Sequence, residues 1–125
     1  MNFPAELKYT KNHEWIKMDG DIAIVGITDF AQDAMGDVIF VGMPEVGDEV
    51  AVGERFGDIE SVLDVFDLLS PVSGTVCAVN PVLFDISENL NRDPYAFWII
   101  KVEGITGWGD LMDAVAYEAF CAEEG

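Results

Sequence analysis

The side chains in this chain that could do chemistry are few and scattered. Cys77 and Cys121 are its only thiols and His13 its only imidazole. A nucleophilic cysteine needs a neighbouring base, and the sequence names none beyond His13. The two cysteines lack a C-x-x-C spacing and have one histidine to join them, so no metal site is expected. Widely spaced cysteines of this kind read as reduced thiols in a cytoplasmic protein. No Ser-His-Asp set and no glycine-rich phosphate loop stands out, and the expectation is a protein without a catalytic site of its own.

One segment draws attention for a different reason. Glu60-Ser61-Val62-Leu63-Asp64-Val65-Phe66-Asp67 runs through Leu68-Leu69-Ser70 into Pro71-Val72-Ser73-Gly74. Leu63, Val65 and Phe66 crowd three large apolar side chains into a short acidic stretch. Exposed together, they would make a patch that a soluble monomer avoids, which suggests a docking tip for another protein or for a second copy in a weak homodimer. Folded down onto their own domain, they would simply be core. Both readings are open at this stage. The lysines, Lys8, Lys11, Lys17 and Lys101, all lie outside the segment.

Six basic residues against 24 acidic ones give a formal net charge of −18. Phosphate backbones and anionic lipid surfaces repel such a chain, so neither nucleic acid nor membrane is expected as a partner. Proteins with a basic docking face are favoured instead. No stretch approaches the roughly 20 apolar residues of a membrane span. The N-terminus has neither secretory nor transit character, and a cytoplasmic location is expected.

The elements that must carry these residues are mostly strands. A chain of 125 residues fits one domain, assigned to residues 1–125. Residues 21–28 and 38–41 are β-branched, apolar runs with strand character. Between them Asp29, with Gln32 three residues on, predicts the cap of a short helix that Gly36 ends. Glycines at 47, 53, 57 and 74 mark turns at the spacing of a sandwich or flattened barrel. Asn80-Pro81 predicts a short helix or turn over 81–87, and Trp98 to Val102 a further strand. From about 110 to 123, Leu111, Val115 and Ala119 recur with Met112, Ala116 and Phe120 as one apolar stripe, predicting an amphipathic C-terminal helix. Glu123 and Glu124 oppose the dipole at its end, which should fray.

Set in order, several pieces resemble the glycine cleavage system H-protein family: Leu7-Lys8-Tyr9, His13-Glu14-Trp15, Gly26-Ile27-Thr28-Asp29, Glu60-Ser61-Val62, Pro71-Val72-Ser73-Gly74 and Pro94-Tyr95. The resemblance spans about residues 5–124. It implies a mainly β, hammerhead sandwich of the lipoyl/biotinyl type, with short helices and a C-terminal helix. It also implies a hairpin tip at 60–69 on which family members carry a lipoyl-lysine arm. Those members shuttle an aminomethyl group among a decarboxylase, an aminomethyltransferase and a dihydrolipoamide dehydrogenase. Leu63 stands where the family pattern has the attachment lysine, and a hydrocarbon side chain offers no amine to acylate. The cleft that holds the loaded arm maps onto Asn12, Glu14, Ala34 and Asp67, of which Asn12 and Ala34 depart from the usual polar residues. Without the arm, Glu14 and Asp67 would be ordinary surface carboxylates.

The expectation is therefore an H-protein-like, non-lipoylated domain that works by binding glycine-cleavage or lipoate-handling enzymes, with no cofactor. The alternative is a true aminomethyl carrier whose attachment lysine is replaced or relocated.

Overall fold

The computed structural model describes residues 1–124. The chain runs β1 (Lys8–Tyr9), β2 (Glu14–Asp19), β3 (Ile22–Ile27), α1 (Asp29–Met35), β4 (Val38–Gly42), β5 (Glu49–Val50), β6 (Arg55–Ser61), β7 (Val65–Leu69), β8 (Val72–Val79), α2 (Val82–Asp85), α3 (Asn89–Arg92), β9 (Ile100–Trp108) and α4 (Ala114–Glu124). A six-stranded sheet in the order β1-β2-β3-β9-β8-β5 faces a three-stranded sheet, β4-β6-β7. All pairings are antiparallel. This is the mainly β, two-sheet architecture with short helices and a C-terminal helix that the sequence predicts. Gly125 of the assigned domain lies outside the described residues.

The main core fills the space between the sheets. Val25 and Ile27 of β3, Val41 of β4, Ile59 of β6, Leu68 of β7, and Ile100 and Val102 of β9 meet there with Leu83 and Leu90 from the short helices. A second cluster, Leu7, Tyr9, Trp15, Tyr117 and Cys121, lies under α4. Burying apolar surface in both clusters is the main favourable term in folding. Trp15 needs its strand neighbour to be glycine. Gly26 sits opposite it in register, and a Cβ there would come within 2.6 Å of the indole. The indole Nε1 donates to the Pro94 carbonyl at 3.0 Å.

Several local expectations need correction. The cap of α1 is Thr28, one residue before Asp29. Its hydroxyl accepts from the Ala31 amide, while Gln32 donates back to the Asp29 carboxylate. Gly36 does end the helix, with φ +76°, where glycine carries no Cβ penalty. The strand expected at 98–102 begins at Ile100 and continues to Trp108, because its pairing with β8 carries it past Gly104. The short helix or turn expected over 81–87 is the single turn α2, and a second single turn, α3, follows outside that range.

The C-terminal helix starts at Ala114 rather than about 110. Met112 is held in an isolated bridge with Tyr9, and Asp113 takes the cap by accepting from the Ala116 amide at 2.8 Å. Its buried face is Tyr117 and Cys121, whereas Val115, a member of the expected stripe, is exposed. Ala116 and Ala119 of that stripe are exposed as well, so the face the sequence singled out is not the one that packs. Tyr117 wins because its ring stacks on Tyr9 at 4.6 Å.

Candidate functional site

The strongest local geometry lies at the turn from β6 to β7. Glu60 pairs with Val65, leaving Ser61, Val62, Leu63 and Asp64 to make the turn. Ser61 organises it: its amide donates to the Asp64 carbonyl at 2.9 Å, and its hydroxyl accepts from the Leu63 and Asp64 amides. The Val62 amide donates to the Asp37 carbonyl, tying the tip to the connection between α1 and β4. The backbone is thus fixed while the side chains stand out. Leu63 is 68% exposed, and Val62 and Val65 are also open to solvent. The alternative in which the tip folds down as core is not what the structure shows for these residues.

Phe66 does not join them. Alternation along β7 turns Val65 and Asp67 outward and Phe66 and Leu68 inward, and Phe66 packs against the main core. Of the expected tip residues Leu63, Val65 and Phe66, the structure exposes Leu63 and Val65, together with Val62, and turns Phe66 to the core.

Beside the hairpin lies a cleft of about 480 Å³. Helix α1 supplies Phe30, Ala31, Ala34 and Met35, β7 supplies Phe66, Asp67 and Leu68, and the loop before β2 supplies Asn12 and His13. Three of the four expected cleft residues, Asn12, Ala34 and Asp67, meet here. Asp67 is an exposed carboxylate, as expected, and its Oδ1 accepts from Arg55 Nε at 3.0 Å.

Glu14 is not a surface carboxylate. It is 1% exposed and lies behind the cleft, on a smaller depression shared with Thr10, Asn12 and Leu69. It accepts from the Thr10 hydroxyl at 2.7 Å, from Asn12 Nδ2, and from the Leu69 amide at 3.2 Å. Burial raises its pKa from 4.5 to about 7, against the lowering effect of those three hydrogen bonds. The sequence reading missed this because nothing in the pattern shows that both faces of β2 are covered at its start, the residues Glu14, Trp15 and Ile16 all being buried.

His13 and Glu124 were also missed as cleft residues. His13 has φ +66°, and its ring stacks on Phe30 at 4.7 Å. Nδ1 lies 2.7 Å from the Tyr117 hydroxyl and Nε2 lies 2.7 Å from Glu124 Oε2. The Tyr117 hydroxyl in turn meets the Thr28 hydroxyl at 2.6 Å. A neutral imidazole donating from Nε2 to Glu124 accepts at Nδ1 from Tyr117, and Tyr117 accepts from Thr28. The chain Thr28, Tyr117, His13, Glu124 holds the end of α4 against the cleft rim. The fraying expected there is opposed by this contact. No local signal pointed to this contact, since His13 and Glu124 are 111 residues apart in the chain.

A two-sheet sandwich that presents a hairpin tip beside a cleft is the build of a carrier domain, which positions a group for other enzymes to act on. Comparison with known proteins narrows the class. The glycine cleavage H-protein family matches residues 7–124. The glycine cleavage system H protein of Acidobacterium capsulatum is 49% identical over 126 residues, covering 99% of this chain and 98% of that one. That of Symbiobacterium thermophilum is 52% identical over 125 residues, with 98% of each covered. A crystal structure of a glycine cleavage system H protein from Mycobacterium marinum superposes with a TM-score of 0.89 at 39% identity, covering 94% of this chain and 97% of that one. The chain belongs to the glycine cleavage H-protein family.

The family is one of lipoyl carriers without catalytic activity of their own, whose members work with the enzymes of glycine cleavage. This overturns the expectation that no cofactor is associated with the chain, because covalent lipoate is the family's group. The largely apolar cleft suits such an arm. The tip does not suit an amide link at residue 63, where the side chain is the hydrocarbon of Leu63. Lys8, Lys17 and Lys101 lie on the six-stranded sheet and Lys11 on the loop before β2. Among the described residues, no helix is long and apolar enough to cross a membrane.

Proposed function

We propose that this chain serves as an H-type docking domain, binding enzymes of glycine cleavage or of lipoate handling through its hairpin tip as a scaffold or regulator. In this reading Leu63 occupies the position at which the family attaches its arm. The observation that carries it is the tip itself: a backbone fixed by Ser61 that holds Val62, Leu63 and Val65 in solvent. Burying an exposed apolar side chain of this size in a partner contributes about 1.5 to 3 kcal/mol before the cost of association. The compartment is the cytoplasm, in keeping with two free thiols at Cys77 and Cys121.

A second reading, the aminomethyl carrier, is favoured by the cleft of about 480 Å³ beside the tip. Intact mass of the protein purified from its own host separates the two: an added lipoyl group assigns the carrier role. Calorimetry at low salt with the host's aminomethyltransferase, decarboxylase and dihydrolipoamide dehydrogenase then tests docking. A complex that Leu63→Asp weakens about ten-fold or more supports the proposal. Absence of a complex with any of the three enzymes and with the host's lipoate ligase overturns it.

A further inference from the structure

The tip is one corner of a larger apolar surface. On β4, Val38 pairs with Ser61 and Phe40 with Glu60, so Ile39 is an extra residue on that strand, a β-bulge. Regular alternation would send one of two neighbours inward. The bulge instead leaves both Ile39 and Phe40 exposed, each at 54%, while Val38 and Val41 are buried. Phe40, Glu60 and Val65 lie side by side across the outer face of the three-stranded sheet. On the other flank, the Ser87 hydroxyl donates to the Ile39 carbonyl at 2.8 Å, which brings α2 alongside. There Phe84 is 60% exposed and Ile86 is open beside it. The Val62 to Asp37 hydrogen bond closes the third side. Three segments distant in sequence are thus stitched into one face.

The charges on that face have one sign. Residues 36–41, 60–66 and 82–88 contain Asp37, Glu60, Asp64, Asp85 and Glu88 and no Lys or Arg. All five acids are exposed. Among the described residues the salt bridges of Arg55 go to Asp58 and Asp67, and His13 hydrogen-bonds Glu124, so these five lack a cationic partner. A second copy would bring the same acids and the same formal charge of −18, so like-charge repulsion opposes self-association through this face.

We infer that the face formed by Ile39 and Phe40, the 62–65 tip and Phe84 and Ile86 docks a cationic amphipathic segment of a partner protein, its apolar stripe on these residues and its Lys or Arg against the five acids. This deepens the docking reading at the tip and rests on it there. The β4 and α2 part stands on the bulge and the charge pattern alone.

The test uses the full-length, isotope-labelled chain and three synthetic helical peptides of about 18 residues. One carries a Leu face and Lys elsewhere, one has Ser in place of Leu, and one has Glu in place of Lys. The Leu/Lys peptide should shift the amide resonances of residues 37–41, 60–65 and 82–88. It should bind about ten-fold or more tightly than the Ser/Lys peptide, and more weakly as salt rises from about 50 mM to about 300 mM. The Leu/Glu peptide should not bind. Phe40→Ser and Phe84→Ser, both at exposed positions, should keep the native amide spectrum and weaken the Leu/Lys peptide about five-fold or more.

Equal affinity for the Leu/Lys and Ser/Lys peptides overturns the inference, since charge alone would then explain binding. So do shifts centred around Met18 and Trp108 on another face, or a homodimer that Phe40→Ser dissolves. Shifts confined to 61–65 with no effect of Phe40→Ser or Phe84→Ser overturn the wider face and leave the tip reading standing.

Discussion

Glu14 shows how little a residue's type says without its surroundings. As one of 24 acidic residues it is indistinguishable in composition, yet it alone among the described carboxylates combines near-complete burial with a pKa raised to about 7. Between pH 4.5 and 7 the folded chain holds a proton there that the unfolded chain has released. The stability this group contributes is therefore fully present below about pH 4.5 and is lost as pH rises through about 7. Urea unfolding of the wild type and Glu14→Gln at pH 4.5 and pH 8 should give a difference that changes by on the order of 3 kcal/mol between the two pH values. Parallel pH profiles would mean the carboxyl titrates normally. Glu14→Gln should also start from a lower baseline, since its amide would face the Asn12 and Leu69 donors. His13-Glu14-Trp15 was legible as a pattern, but the burial of Glu14 was not, because it follows from the end of β7 and the segment after it meeting the start of β2 from far along the chain.

Among the elements, α1 lines the cleft and is locked through hydroxyl groups to α4, whose Glu124 reaches the cleft rim. Thr28 both caps α1 and meets Tyr117 of α4. Thr28→Ala should cost about 1–2 kcal/mol in chemical denaturation, with Thr28→Ser recovering most of it. An equal loss in both variants would point to the methyl group and not the hydroxyl. Tyr117→Phe keeps the stack on Tyr9 and removes the hydroxyl between Thr28 and His13. It should cost about 1–2 kcal/mol and speed amide exchange in the last turn of α4, residues 121–124, with the strands of the six-stranded sheet unchanged. Unaltered exchange there would show that His13 and Glu124 hold the helix end unaided. The sequence marked α1 well, within one residue at its cap, since Gly36 and the Thr28 region are short-range signals. It placed α4 poorly, because the choice of Tyr117 over Val115 as the buried face depends on Tyr9, more than a hundred residues away.

For the molecule as a whole, the formal charge of −18 sets the conditions under which it works. Self-repulsion opposes the compact state and salt screens it. The melting temperature should therefore rise by a few degrees between about 10 mM and about 200 mM sodium chloride, while affinity for any basic partner falls over the same range. A melting temperature that is flat or falls with salt would show that favourable ion pairs, such as Arg55 with Asp58 and Asp67, outweigh the repulsion. The two-sheet architecture was readable because its turn glycines and β-branched runs are local. The order of strands was not, since nothing local tells Ile100–Trp108 that it belongs between β3 and β8. That placement matters when the chain is made. The strand joining the two halves of the six-stranded sheet follows every other strand in chain order among the described residues. Until it has been made, Val25 on one half and Val76 on the other have no strand between them, and both inner edges of the sheet lie open. The sheet closes only once this late strand is in place, and until then the net charge of the chain is what keeps the open edges of neighbouring copies apart.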